Sequence, residues 1–202
     1  MPGFDHLVLR TPRLLLRPMS TDDAPALFAV FSDPAVMRYR SLPPWTALEQ
    51  ARAAIDRDLL AMARAEQLRL GIVLASEGLL IGTCTLFRLD EQSRRAEIGY
   101  ALGSHAWGRG FMHEALTALL RHGFETLGLN RIEADIDPGN AASARSLERL
   151  GFQREGRLRE RWIVNGEVSD AVMYGLLRAD WARRDHLAGD VGSPFPATRG
   201  AP

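Results

Sequence analysis

The sequence predicts an α+β domain built on a mostly antiparallel sheet. Three observations carry this prediction. Strand-like and helix-like hydrophobic periods alternate along the chain; the turn signals Glu77-Gly78 and Asn165-Gly166 each separate two strand-like runs, as in hairpins; and Trp107-Gly108-Arg109-Gly110 lies between a strand pattern and a helix pattern.

Arg13 to Met19 reads as a short buried strand. Ser20 or Thr21 then offers an N-cap, Asp22 and Asp23 fall in the first turn, and Ala24, Leu27, Phe28 and Phe31 recur at helical spacing until Asp33-Pro34 stops the helix. A loop containing Pro43, Pro44 and Trp45 follows, and Leu48, Ala51, Ile55, Leu59 and Met62 mark a second helix. Leu68 to Ala75, Leu79 to Phe87 and Arg94 to Leu102 read as strands, the last with Gly99 inside it, where a bulge or a close backbone approach is expected. A helix using Met112, Ala115, Leu116 and Leu119 comes next. The strand Arg131 to Asp137 has Ile132, Ala134 and Ile136 on one face and Glu133, Asp135 and Asp137 on the other. A short helix from Ala141 to Leu150 ends at Gly151, and a long C-terminal β-hairpin runs from about Arg157 to Leu177 around Asn165-Gly166.

Composition narrows the chemistry. All 25 basic side chains among the 202 residues are Arg, balanced by 25 acidic ones. With no lysine there is no Schiff-base lysine, no phosphate-loop lysine and no lysine general base. Zero net charge argues against dedicated nucleic-acid binding, which draws on a basic excess. The single cysteine, Cys84, asks for no oxidising compartment, and no signal pattern or apolar run of about 20 residues points to secretion or a membrane, so the chain reads as cytoplasmic. Residues 1–184 make one domain; the Gly- and Pro-rich segment 185–202 is expected to be a disordered tail.

The passage from strand through Gly108-Arg109-Gly110-Phe111-Met112 into a helix is the most informative. Glycines at a helix start let backbone amides converge on an anion, and the helix dipole adds partial positive charge there; a plain tight turn is the competing reading. A Rossmann fingerprint does not fit, because position 113 is His where the third glycine is needed. Downstream, Asp137-Pro138-Gly139-Asn140 leads to Ser143 and then Gly151-Phe152.

The series of strand, G-x-G, helix, strand, N-x-x-S, helix and GF resembles the acetyl-CoA-binding half of the GNAT acetyltransferase superfamily. TPRLLLRP, Asp33-Pro34, Glu97-Ile98-Gly99-Tyr100, Asp170 and Tyr174 resemble the RimJ/RimL branch, which acetylates ribosomal-protein N-termini. The likeness covers residues 10–184. It implies a GNAT-like mixed, mostly antiparallel central sheet flanked by helices, with acetyl-CoA as acyl donor. By the same resemblance, the backbone of Tyr100, Ala101 and Leu102 pairs with the pantetheine arm where a bulge near Gly99 splays this strand from Ile132 to Ile136. Amides of Trp107, Gly108, Arg109, Gly110, Phe111 and Met112 hold the pyrophosphate, Asn140 bonds the pantetheine and Arg145 reaches a nucleotide phosphate. Two positions depart from the family pattern: His105 stands where Gln or Arg is frequent, and Leu147 stands where many relatives carry an acidic Tyr.

Acetyl transfer requires a neutral amine, a polarised carbonyl and a proton for the departing thiolate. Glu97 is the first candidate base and Asp135 its rival; Ser143 is the candidate acid, and a strand amide near Leu102 polarises the carbonyl. At pH 7 an α-amine with pKa ~8 costs about 1.4 kcal/mol to deprotonate and a lysine about 4.6 kcal/mol, which favours an N-terminus. Ser143 has an alternative reading as a helix-start residue bonded to its own backbone. Cys84 reads as core. His113-Glu114 lacks the second His of a metal motif, so no metal is expected.

Arg38, Tyr39, Arg40 and the Pro43-Pro44-Trp45 loop are candidates to read the acceptor, with Trp45 equally suited to packing under its loop. Arg154, Arg157, Arg159 and Arg161 form a second basic cluster interleaved with Glu155 and Glu160. The function expected is acetyl transfer to a protein or peptide N-terminus. A small-molecule amine acetyltransferase and a non-catalytic CoA-binding module are the alternatives. The hairpin edge also suits a homodimer.

Overall fold

Eight strands, β1 (Leu9–Arg10), β2 (Leu14–Arg17), β3 (Leu68–Leu74), β4 (Leu80–Asp90), β5 (Arg95–Leu102), β6 (Arg131–Ile136), β7 (Gln153–Val164) and β8 (Glu167–Leu177), form one sheet in the order β1-β2-β3-β4-β5-β6-β8-β7. The structure, a computed structural model, describes residues 3–164 and 166–183. Every neighbouring pair is antiparallel except β5 and β6. Those two are parallel because the chain between them crosses the sheet through α4 (Phe111–Arg121).

The β5–β6 pairing runs from Arg95↔Arg131 to Glu97↔Glu133 and stops there, while β6 continues alongside β8 as far as Ile136↔Val172. The sheet is therefore open between Ile98–Leu102 and Ala134–Ile136. The β4–β5 register is unbroken from Gly82↔Leu102 to Phe87↔Glu97, and the irregularity falls between Phe87 and Asp90. The bulge expected at Gly99 is thus replaced by a parting after Glu97. Gly99 answers to a close approach instead, since a Cβ there would lie 3.3 Å from Cε1 of Phe87.

Each face of the sheet carries helices. On one face α4 and α5 (Ala141–Leu150) pack Leu116, Leu119, Leu147 and Leu150 against Leu70, Leu86, Ala96, Ile98, Leu102, Ile132 and Ala134. On the other, α1 (Ala24–Ser32) and α3 (Leu48–Ala63) bury Leu27, Phe31, Ala51 and Ile55 against Val73, Leu80 and Ala101. Each fully buried side chain of this size contributes about 1.5–3 kcal/mol. Burial is thus divided by strand parity: Ala96, Ile98 and Leu102 face α4 and α5, whereas Ala101 faces α1 and α3.

Several expectations need correction. The two-residue β1 has no sequence pattern of its own. Asp33-Pro34 does end α1, and it also starts the short helix α2 (Pro34–Met37), with the Asp33 carboxylate accepting from the Ala35 amide at 2.8 Å. The hairpin strand β7 begins at Gln153, earlier than expected, and loses register between Arg154 and Gly156 and again between Leu158 and Trp162. Residues 178–183 form a further helical turn that buries Trp181. Asn165 and the tail 185–202 lie outside the described residues, although Val164↔Glu167 pairs across the expected turn.

Candidate active site

The open edge between β5 and β6 collects the candidate residues from both faces of the sheet. Parity puts Glu97 and Asp135 on the face of α1 and α3, because their strand neighbours Ala96, Ile98, Ala134 and Ile132 are buried on the other. Tyr100 lies on the α4–α5 side, where its hydroxyl meets Ser143 Oγ at 2.6 Å. A donor molecule threaded along the gap would therefore have the acids on one side and the Tyr100–Ser143 pair on the other.

At one end of the gap the chain turns through Gly108 (φ +73°) and Gly110 (φ +77°) into α4. Gly110 is the N-cap, and no side chain caps the helix. The first-turn amides have no intrahelical acceptor and point outward. Space above them is open: a Cβ at Gly108 would meet nothing within 4 Å, and one at Gly110 only Arg13 Nη2 at 3.5 Å. The guanidinium groups of Arg13 and Arg109 lie 4.6 and 4.7 Å from the Phe111 ring centroid. Arg13 also bonds Arg109 O at 3.0 Å and Glu114 at 2.6 Å. Glu114 is further held by the Thr11 hydroxyl at 2.6 Å and the Arg13 amide at 2.9 Å, so its carboxylate anchors β2 to α4. A pyrophosphate fits this cradle of free amides, helix dipole and arginine.

Along the open edge two β5 carbonyls are met by side chains. Trp107 Nε1 donates to Leu102 O at 2.7 Å, and Arg40 Nη1 donates to Tyr100 O at 3.1 Å. Across the gap, Asn140 caps α5, accepting from the Ser143 amide at 3.1 Å through its side-chain oxygen. The Ser143 amide thus closes the helix start by donating to Asn140, and its hydroxyl meets that of Tyr100. Burial pushes the Tyr100 hydroxyl up to about 12, against the lowering effect of Ser143, so it stays protonated at neutral pH. Arg145 stands exposed on α5.

The two acids have different surroundings. The irregularity in β4 puts Arg88 at φ +51°, and its Nη1 grips both Glu97 oxygens at 2.9 and 3.0 Å. Asp135 has the looser Arg161, at 3.9 Å, and a side-chain hydrogen bond from Trp162. Its carboxyl is raised above the usual range, first by burial and then by the Glu97 charge, against the lowering effect of Arg161 and Arg88.

At the acceptor side, Tyr39 leans over the turn before α5, where a Cβ on Gly139 would lie 3.2 Å from its ring. Arg38 lies 5.2 Å from the Tyr39 centroid. Trp45 is committed to packing, stacked on Phe31 at 4.7 Å. In the second basic cluster, Arg157 is paired with Asp170, and the interleaved Glu155 is paired with Arg131 of β6. Cys84 is fully buried, and burial pushes its thiol up to about 12. The side-chain roles of Arg13, Arg88 and the Tyr100 hydroxyl were not read from the sequence. The paired TPR and His-Glu motifs held the one available signal, for the Arg13–Glu114 contact.

A mixed sheet is thus parted between two parallel strands, with an uncapped helix start at the mouth of the gap. Comparison with known proteins gives this architecture its family. Residues 13–153 match the acetyltransferase (GNAT) domain. Over 176 residues the chain is 41% identical to p20 of Bacillus licheniformis, an uncharacterized N-acetyltransferase, covering 86% of this chain and 98% of the relative. The [ribosomal protein uS5]-alanine N-acetyltransferase of Escherichia coli is 38% identical over 84 residues, 42% of this chain and 43% of that enzyme. The crystal structure of a GNAT-family acetyltransferase from Bacillus anthracis superposes with a TM-score of 0.76 at 26% identity, covering 86% of this chain and 99% of that one. The chain belongs to the GNAT acetyltransferase family, and it is an acetyltransferase whose relatives include a ribosomal-protein N-acetyltransferase. Among the described residues no helix is long and apolar enough to cross a membrane.

Proposed function

We propose that the chain is an acetyl-CoA-dependent N-acetyltransferase that acts on a primary amine, in the first place a protein or peptide N-terminus, in the cytoplasm and without a metal. The observation that carries this reading is the β5–β6 gap, with uncapped amides at one end, Asp135 and Glu97 on one face and Tyr100–Ser143 on the other. When bound, acetyl-CoA supplies the thioester whose acetyl group passes to the amine. Amides from Trp107 to Met112 hold the pyrophosphate, Tyr100, Ala101 and Leu102 offer backbone to the arm, and Asn140 and Arg145 hold it from α5.

Asp135 takes the proton of the attacking ammonium, directly or through a water, because a raised carboxyl is a stronger base than an ordinary one. Glu97, clamped by Arg88, adds the negative charge that raises it. As the C–N bond forms and the C–S bond breaks, the amine nitrogen gives up its second proton to water, Ser143 protonates the departing sulfur, and Tyr100 restores the serine proton through their 2.6 Å contact and regains its own from water. A β5 amide near Leu102 supports the carbonyl oxygen. Arg38 and Tyr39 border the acceptor side, with Trp45 supporting their loop.

The test is thiol release by the purified protein with acetyl-CoA and a panel of free peptides, N-terminally blocked peptides containing lysine, amino acids and polyamines. Free peptide N-termini should give the highest kcat/KM and blocked peptides essentially none. Turnover confined to small amines would refute the N-terminal reading.

A further inference from the structure

We infer that Arg13 is a positioning residue for the anion cradle: locked to Glu114, it holds the Arg109 carbonyl and so keeps the Gly110 N–H on the far side of that peptide, as a donor for the cofactor's pyrophosphate. This inference rests on the acetyl-CoA reading of the turn before α4.

The peptide unit between Arg109 and Gly110 is the one that is held. Its carbonyl accepts from Arg13 Nη1 at 3.0 Å. Peptide bonds among the described residues are trans, so the Gly110 N–H points opposite to that carbonyl, away from the guanidinium. This N–H finds no backbone acceptor among the described residues.

Without a restraint the unit would turn over easily. A flip exchanges C=O and N–H by changing chiefly ψ of Arg109 and φ of Gly110, and a glycine takes either sign of φ at little cost. Gly110 stands at φ +77°. The glycine that the turn needs is therefore also its weak point, because a flipped peptide presents a carbonyl oxygen where an anion needs a donor.

Arg13 supplies the restraint and is itself fixed. Its Nε donates to Glu114 Oε2 at 2.6 Å and its backbone amide to Oε1 at 2.9 Å, while its guanidinium lies 4.6 Å from the Phe111 centroid. Glu114 stands one turn into α4, and its own amide donates to Gly110 O at 3.1 Å. The carbonyls on both sides of the Gly110 Cα are thus held by the same pair. Against the raising effect of burial, hydrogen bonds from Thr11 and Arg13 keep the Glu114 carboxyl below its usual range, so it is an anion at neutral pH and balances the Arg13 charge. A neutralised guanidinium that grips a carbonyl is a strut rather than a phosphate ligand.

The experiment titrates the full chain with CoA by calorimetry. Arg13→Gln should bind CoA at least tenfold more weakly than the wild type. Arg13→Lys keeps the charge but not the fork that spans Glu114 and Arg109, and should not restore the affinity. Glu114→Gln should also weaken binding, and the double variant should bind no more weakly than Arg13→Gln alone. A direct phosphate contact predicts the opposite for Glu114→Gln, since an unpaired Arg13 attracts an anion more strongly. Selective 15N-glycine labelling reads the lock without a ligand: Arg13→Gln should broaden or double the Gly110 amide signal, with that of Gly128 unmoved as the sign of an intact fold. An Arg13→Gln affinity within threefold of the wild type, full restoration by Arg13→Lys, tighter binding by Glu114→Gln, or an unchanged Gly110 signal overturns the inference. A wild type that binds no CoA, with a Gly110 signal that still responds to Arg13→Gln, would keep the Arg13 lock and remove the acetyl-CoA reading.

Discussion

Replacing Gly110 with Leu separates backbone strain from the loss of an anion cradle. Gly110 sits at φ +77°, and a Cβ there meets only Arg13 Nη2, at an ordinary 3.5 Å. The free protein therefore loses little beyond the left-handed penalty of about 1–2 kcal/mol. At 2–4 °C per kcal/mol for a chain of this size, that is a fall in Tm of about 2–8 °C. The side chain projects, however, into the space in front of the uncapped α4 amides. CoA at 100 times its dissociation constant should stabilise the wild type by about 2.7 kcal/mol; if the substitution weakens binding a hundredfold, the gain at the same concentration falls to about 0.4 kcal/mol. Differential scanning fluorimetry would read this as a CoA shift of about 5–11 °C shrinking to about 1–2 °C. Gly128→Leu is the control: φ is +67° and a Cβ meets nothing within 4 Å, so the strain is the same and the site untouched. An undiminished CoA shift in Gly110→Leu would refute the amide cradle, and an equal loss in Gly128→Leu would trace the effect to strain.

Asp135→Asn should lower kcat/KM about 10²–10⁴-fold, the range for a positioned acid or base, and remove the rise in rate as pH passes through the raised Asp135 value. The same change should stabilise the protein at neutral pH. A carboxyl with its folded pKa above its unfolded one binds more protons folded than unfolded between the two, so its contribution to stability falls as pH rises through that interval. A Tm at pH 7 below wild type would contradict the raised state. Tyr100→Phe and Ser143→Ala should each reduce kcat with little change in the CoA thermal shift, and the double variant should lose less than the product of the single losses, since both interrupt one 2.6 Å contact; strictly multiplicative losses would separate them. Cys84, buried and pushed up to about 12, should resist thiol reagents in native buffer and react only on unfolding, as mass spectrometry would show.

What the sequence made legible follows from where the information is local. The helix Ala141–Leu150 is bounded by Asn140, which caps it, and by Gly151 at φ +95°, so its limits were readable from two residues. Parity was readable too: alternation along Arg95–Leu102 and Arg131–Ile136 already separates the face of Glu97 and Asp135 from that of Tyr100. The place where the strands part was not, because a glycine inside a strand signals either a bulge or a close contact, and here Phe87 makes it the second. The difference between the two acids was less legible still. Glu97 and Asp135 share a face; Asp135 is raised first by its burial and then by the charge of Glu97, while Arg88, brought onto Glu97 from a neighbouring strand by a left-handed residue in an irregular stretch, acts against the rise. The difference in their surroundings is therefore set by tertiary burial and long-range contacts that neither residue's own sequence neighbourhood encodes.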